Sequence, residues 1–143
     1  MVIDVVVRHD TLVRLGAVLL AATAVGIGSC EAATSPATQL SITVYPNGIG
    51  ATGAKHYALR CNPTGGDVPN PARACAVLAS LHHPFAPTPP NTICSDIALG
   101  PQEAIVKGTL RGSRVAAHLR VRDSCEISRW RRVRDVVPGF PGR

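Results

Sequence analysis

Aromatic side chains are scarce in this sequence, whose 143 residues include one Trp, two Tyr and two Phe. A core of such composition must consist mainly of Val, Leu, Ile and Ala, and a small aliphatic core supplies only modest stability. Internal repeats are also lacking. The uncharged apolar run 15–29 is shorter than the roughly 20 residues that a membrane-spanning helix needs. These absences favour one small domain behind an export signal.

The N-terminal segment has the pattern of a signal peptide. Arg8 and Arg14 precede the apolar run, which itself carries no charge. We therefore expect residues 1–29 to be a leader that is removed during export. The rest of the chain, 30–143, has the length of one domain.

The end of this leader is similar to a bacterial lipobox. Ile27-Gly28-Ser29-Cys30 places an aliphatic residue and two small residues before a cysteine. The motif predicts cleavage before Cys30, a lipid on its sulfur that anchors the protein to a membrane, and a tether over residues 30–38. The alternative is ordinary secretory cleavage near Ala22-Thr23-Ala24 or Ala32-Ala33, which leaves Cys30 free or removes it.

Four further cysteines predict a disulfide framework, because disulfides persist outside the reducing cytosol. Cys61 and Cys75 are 14 residues apart and Cys94 and Cys125 are 31 apart, unlike the CxxC spacing of zinc sites. No histidine pair is placed to complete such a site, so we predict neither a metal nor a cofactor. Four cysteines permit three pairings, and spacing alone does not select one.

The chain after the tether has the pattern of strands with one clear helix. Asn70 and Pro71 suit the N-cap and first position of that helix, and Cys75 shares its apolar face. The last strand alternates most regularly and predicts an antiparallel hairpin with one solvent-facing side, which carries His118. The predicted strands are 39–45, 56–61, 104–109 and 113–122.

The C-terminal part is rich in arginine, with nine from Arg111 onward and four within 129–134. This run and a basic tail over 131–143 are suited to anionic lipid headgroups beside a lipid anchor. The alternative is a solvated strand face and tail. A nucleic-acid partner is not expected outside the cell. His82 and His83 are expected to be exposed at the helix end and not to bind metal.

No catalytic constellation is evident in the sequence. Ser95 and Asp96 are adjacent, but nothing places a histidine base and an oxyanion hole around them. The chain is therefore not expected to be an enzyme.

Several motifs together resemble the subtilisin inhibitor-like family of bacterial serine-protease inhibitors. They are Cys61-Asn-Pro-Thr-Gly-Gly, the 14-residue gap to Cys75, and Val106-Lys-Gly108 with Gly112 and Arg114-Val115. Gly100-Pro101-Gln102 and Cys125-Glu-Ile with Trp130 are similar to a lipoprotein-like branch of the family. The resemblance predicts a domain over residues 39–130.

This resemblance implies an α+β fold, a two-layer sandwich in which two helices pack on a five-stranded antiparallel sheet. It implies the disulfides Cys61–Cys75 and Cys94–Cys125, and commonly a homodimer formed through the sheet. Together with the leader, it implies an extracellular or envelope location and a subtilisin-type serine protease as partner.

In that family the functional segment follows the third cysteine. Carried over residue by residue, the reactive-site loop is Cys94-Ser95-Asp96-Ile97-Ala98-Leu99, with the scissile bond between Asp96 and Ile97. Such a loop binds the protease as an extended substrate, is cut slowly and religates. A disulfide at Cys94 holds it in its bound shape, which reduces the entropy lost on binding.

The loop departs from the family pattern in two respects. Six residues separate Cys94 from Pro101, one more than in the best-known members, and a register shifted by one makes Ile97 the primary specificity residue. In the first register Asp96 enters a pocket that is apolar in subtilisin-like enzymes, and burying an unpaired charge is costly. We therefore expect weak or narrow inhibition, or a protease that accepts acidic residues. The alternative function is a non-inhibitory envelope lipoprotein or binding module that retains the inhibitor fold.

Overall fold

The computed structural model describes residues 37–142. The leader, Cys30 and the tether up to residue 36 lie outside the described residues, as do their predicted cleavage and lipidation. No helix within 37–142 is long and apolar enough to cross a membrane. The elements are β1 Thr38–Tyr45, β2 Lys55–Cys61, β3 Gly65–Gly66, α1 Pro71–Ser80, β4 Glu103–Leu110, β5 Ser113–Arg120 and α2 Ser124–Arg132.

The strands form one antiparallel sheet in the order β3-β2-β1-β4-β5, with β1 at its centre. Alternate residues of β1 are buried, among them Leu40 and Ile42. Their register partners continue the apolar surface, since Leu40 faces Leu59 of β2 and Ile42 faces Val106 of β4. The expected α+β fold, with five antiparallel strands, two helices and both disulfides, is confirmed.

The motif glycine of β4 lies where two central strands come closest. Gly108 has φ +138°, and a Cβ built on it would overlap the carbonyl of Gln39 in β1. A larger residue would push the strands apart. The glycine of the Val-Lys-Gly motif therefore serves the packing of the sheet.

Helix α1 is secured at both ends. The Asn70 side chain accepts a hydrogen bond from the backbone N–H of Arg73 at 3.0 Å, as expected of an N-cap. At the other end the guanidinium of Arg111, in the β4–β5 turn, donates to the carbonyl oxygens of Leu78 and Leu81. These bonds satisfy helix carbonyls that have no partner within the helix. They also tie α1 to the end of the sheet that carries this turn.

The C-terminal segment belongs to the core. The arginine run, for which a strand face and tail was one of two expectations, forms the end of α2, and the predicted tail begins inside this helix. Beyond it Val133, Val136 and Val137 have no solvent exposure. The buried Trp130 donates from Nε1 to the carbonyl of Val137 at 3.0 Å. The arginines dominate the sequence pattern here, but the valines within and just after the run return the chain to the core.

Replacing both Val136 and Val137 with Ala is expected to lower the free energy of unfolding by about 3 kcal/mol, because fully packed methyl groups are lost. Urea denaturation followed by circular dichroism measures this loss. The matched control is Arg134→Ala, which changes an exposed neighbour and should alter stability by less than about 0.5 kcal/mol. A double variant as stable as the wild type would show that the segment does not support the core.

Candidate functional site

Residues Cys94 to Leu99, called the loop below, lie in an irregular segment between α1 and β4. Ser95 to Leu99 are all exposed. Large aliphatic side chains are exposed to solvent here. Ile97 is 54% exposed and Leu99 44%, and Ile93, just before the loop, is 97% exposed. Three of the four large hydrophobic side chains exposed among residues 37–142 lie here, and this concentration indicates a contact surface.

Hydrogen bonds fix the loop backbone at both ends. At its start Ser95 and Ser124 are paired twice, because the Ser95 N–H donates to the Ser124 hydroxyl at 2.8 Å and the Ser124 N–H donates to the Ser95 carbonyl at 3.0 Å. At its end the Leu99 N–H donates to the carbonyl of Val121 at 2.9 Å. Sequence reasoning missed Ser124 and Val121, although Ser124 directly precedes Cys125. The exposed loop therefore has a defined backbone.

Asp96 lies at the apex of the loop. The Ile97 N–H donates to the carbonyl of Ser95 at 2.9 Å, which closes a tight turn around Asp96. The Asp96 side chain is exposed, and none of the ion pairs among residues 37–142 includes it. The structure thus projects the carboxylate of the predicted primary specificity residue into solvent.

The Cys94–Cys125 disulfide joins the loop to α2, with Cα atoms 5.5 Å apart. Cys125 lies in the first turn of this helix, whose N-cap is Asp123. The Asp123 carboxylate accepts the backbone N–H groups of Cys125 and Glu126, both at 2.9 Å. The loop is therefore anchored to a capped helix end.

Cys94, Asp123 and Cys125 place possible ligand atoms within 4.8 Å of one another, and among residues 37–142 they are the only such group. They do not suit a metal ion, because both sulfurs belong to a disulfide and the carboxylate caps α2. His82 and His83 are exposed, but α1 ends at Ser80, so they follow the helix instead of forming its last turn.

A buried carboxylate marks the point where the chain returns to the sheet. The side chain of Glu103, the first residue of β4, is 8% exposed. One of its oxygens lies 2.5 Å from Nε2 of His118, and the other accepts a hydrogen bond from Arg122 at 3.2 Å. His118, expected to face water, is exposed, and its ring also contacts this carboxylate. The contacts join the base of the loop to β5 and to the residues before α2.

The arginines of the C-terminal part do not form one free patch. Arg120 and Arg122 make ion pairs with carboxylates of the fold. Arg129 donates to the backbone carbonyl of Ala86 at 2.9 Å, and burial lowers the pKa of its guanidinium. Arg131 and Arg132 are exposed and lack a carboxylate within ion-pair distance in residues 37–142.

Comparison with protein families gives one match. A sequence model described as subtilisin inhibitor-like matches residues 36–121, more than half of the chain. The matched range contains all five strands, α1, the loop and three of the four disulfide cysteines. A comparison with curated proteins gives no match.

The hydrogen-bond pattern predicts uneven amide exchange within the loop. The N–H groups of Ser95 and Leu99 should exchange more slowly than that of Ala98, measured by NMR in deuterated water. Ser124→Ala removes the acceptor for Ser95 and should speed its exchange by roughly fivefold to tenfold, with Leu99 unchanged. The control is Ser128→Ala, one turn further along α2. If the Ser95 amide exchanged at the same rate in Ser124→Ala and Ser128→Ala, the hydrogen bond from Ser95 to Ser124 would be contradicted.

Proposed function

The chain belongs to the subtilisin inhibitor-like family, and we propose that it inhibits a serine endopeptidase through the loop, Cys94 to Leu99. The observation that carries this proposal is that the loop combines exposed side chains with a backbone fixed at both ends. The protease binds this strip as it binds a substrate. The inhibitor performs no catalysis, because the nucleophile and the proton-transfer groups belong to the protease.

The affinity of a substrate-like inhibitor is higher when its loop is already ordered before binding. A free peptide loses conformational entropy when it settles into a protease cleft, which reduces its affinity. Here the bonds from Ser95 to Ser124 and from Leu99 to Val121, together with the Cys94–Cys125 disulfide, restrict the backbone before binding. Preorganised inhibitors of this type can bind tightly through interfaces of ordinary area.

The same restraints favour religation after cleavage. The proposed scissile bond joins Asp96 to Ile97, and the Ile97 N–H is already held 2.9 Å from the carbonyl oxygen of Ser95. Cleavage adds water across the bond and leaves a carboxyl group on Asp96 and an amino group on Ile97. Both ends stay attached to the domain, so the amine remains near the carboxyl group. This proximity favours reforming the bond with release of water.

Asp96 gives the proposed inhibitor an unusual specificity. A carboxylate that enters an apolar pocket loses its hydration without gaining a partner, which weakens binding by orders of magnitude. The proposal therefore favours a protease whose primary pocket offers a cation or hydrogen-bond donors. In the register shifted by one residue, Ile97 occupies an apolar pocket instead.

Asp96→Met is expected to strengthen inhibition of subtilisin by about 100-fold or more, because it removes the desolvation penalty and adds an apolar side chain. Residual subtilisin activity is titrated with each protein, and mass spectrometry locates any slow cut. Cleavage after residue 96 supports the first register, and cleavage after residue 97 the second. Asp96→Asn is the control for charge alone and should bind with intermediate strength. If the wild type, Asp96→Met and Asp96→Asn all fail to inhibit with both disulfides intact, the proposed function is refuted.

Removal of the loop disulfide by Cys94→Ser/Cys125→Ser should turn the Asp96→Met inhibitor into an ordinary substrate. Subtilisin should cleave this variant at least about tenfold faster than it cleaves the Asp96→Met parent, since the cut ends are no longer held together. The matched control is Cys61→Ser/Cys75→Ser, which removes a bridge remote from the loop. It should reduce stability by about 3 kcal/mol and retain inhibition wherever it is folded. Equal cleavage rates for the two double variants would contradict a loop-specific role.

Export and lipid attachment at Cys30 are part of this proposal. They are supported by the signal-peptide pattern of residues 1–29 and by the lipobox-like sequence Ile27-Gly-Ser-Cys30. The two disulfides agree with an oxidising location outside the cytosol.

A second candidate function is a non-inhibitory envelope module that uses the inhibitor fold to bind anionic headgroups. It is favoured by the exposure of Arg131 and Arg132 without carboxylate partners in the described residues. The first function depends on the loop and the second on these arginines. If none of the loop variants inhibits a protease, the binding module is the candidate function that remains.

A further inference from the structure

Four large hydrophobic side chains are exposed among residues 37–142. Ile93, Ile97 and Leu99 belong to the loop or directly precede it. The fourth, Ile49, is 52% exposed and lies far away in the sequence, in the β1–β2 turn, residues 46–54. We propose that Ile49 is a second contact for the same protease that binds the loop. This inference rests on the proposed function and adds a surface outside the loop.

The β1–β2 turn and the loop lie at the same end of the sheet. β1 ends at Tyr45, whose register partner is Glu103, the residue at which the chain leaves the loop region and enters β4. Gly48 packs against this region, because a Cβ built on it would lie 3.3 Å from the carbonyl oxygen of Pro101. Pro101 is two residues beyond Leu99. The turn that carries Ile49 therefore lies beside the segment that follows the loop.

The β1–β2 turn is ordered by its own hydrogen bonds. The Gly48 N–H donates to the carbonyl of Tyr45 at 3.2 Å, and the Ala51 N–H donates to the carbonyl of Gly48 at 3.2 Å. The side chain of Asn47 donates to the carbonyl of Thr52 at 3.4 Å. Gly48, with φ +87°, supplies the left-handed backbone that the turn requires. Ile49 is thus presented on a restrained backbone, which limits the entropy lost on binding.

The size of a protease interface makes a contact beyond the loop necessary. Six extended residues form a strip at most about 20 Å long. A standard interface covers about 800 Å² of each partner, which corresponds to a patch roughly 30 Å across. Surface beside the loop must therefore be covered as well, and the β1–β2 turn is the neighbour on the C-terminal side.

The chemistry of the turn specifies the partner surface. Residues 46–54 contain no charged side chain, and Ile49 is their one large aliphatic residue. Like Ile97 and Leu99, it offers an exposed aliphatic side chain at this end of the sheet. The inferred partner is a protease with an uncharged, apolar depression beyond the subsite that receives Leu99.

The test compares inhibitors that all carry Asp96→Met, with subtilisin as the probe. Ile49→Ser should raise the inhibition constant by about fivefold to tenfold, mainly through faster dissociation of the complex. Ile49→Val should retain most of the affinity. The matched control is Ala76→Ser, on the exposed face of α1 and remote from the loop. Thermal unfolding of each variant should match the parent, because the substituted side chains are exposed.

The outcomes separate this inference from the proposed function. If the parent inhibits subtilisin and Ile49→Ser inhibits as well as Ala76→Ser, the second contact is refuted and the loop mechanism stands. If the parent itself does not inhibit, the proposed function fails and the second contact fails with it. A change from dimer to monomer on Ile49→Ser, seen by sedimentation, would assign Ile49 to self-association and would also overturn the inference.

Discussion

The disulfide between Cys94 and Cys125 and the two hydrogen bonds between Ser95 and Ser124 fasten the loop to the first turn of α2. The helix is a firm support because Asp123 caps its N-terminus and its apolar side packs into the core. The shape of the exposed segment therefore depends on burial elsewhere in the domain. A loosened core would release α2, and the loop would lose its anchor with it.

That core is built from small aliphatic side chains, so a few contacts have a large share in its stability. Trp130 is its largest fully buried side chain, and the segment that follows α2 covers it with buried valines and an edge-on contact from Phe140. One disulfide joins the sheet to α1, from Cys61 of β2 to Cys75, and the other joins the loop to α2. Cross-links of this kind compensate for a modest core in a small domain.

Four strands and α1 could be predicted from the residues, because alternation in β1 and the Asn70-Pro71 start are local signals, whereas the fifth strand and the second helix followed from the family resemblance. The disulfide pairing followed from the family resemblance and is confirmed, although spacing alone left it open. The buried role of Val137 was missed because it follows the arginine run and was assigned with it to a basic tail, 131–143. The contact of His118 with Glu103 depends on the register between β4 and β5, which no local pattern specifies. For the loop, the family resemblance predicts residues 94–99, but the hydrogen bonds that hold this segment come from parts of the chain far away in sequence.

The direction of β1 separates the N-terminal entry of the chain from the loop, because they lie at opposite ends of the sheet. The chain enters the fold at Ala37, whose carbonyl accepts the N–H of Gly112 at the tip of the β4–β5 hairpin. It then runs eight residues along the central strand, about 25 Å, to Tyr45 at the end of the sheet that bears the loop. The residues that precede residue 37 are thus joined to the domain at the end of the sheet opposite the loop. Attachment to a surface through the N-terminal side would leave the loop pointing outward, where a large enzyme could approach it unobstructed.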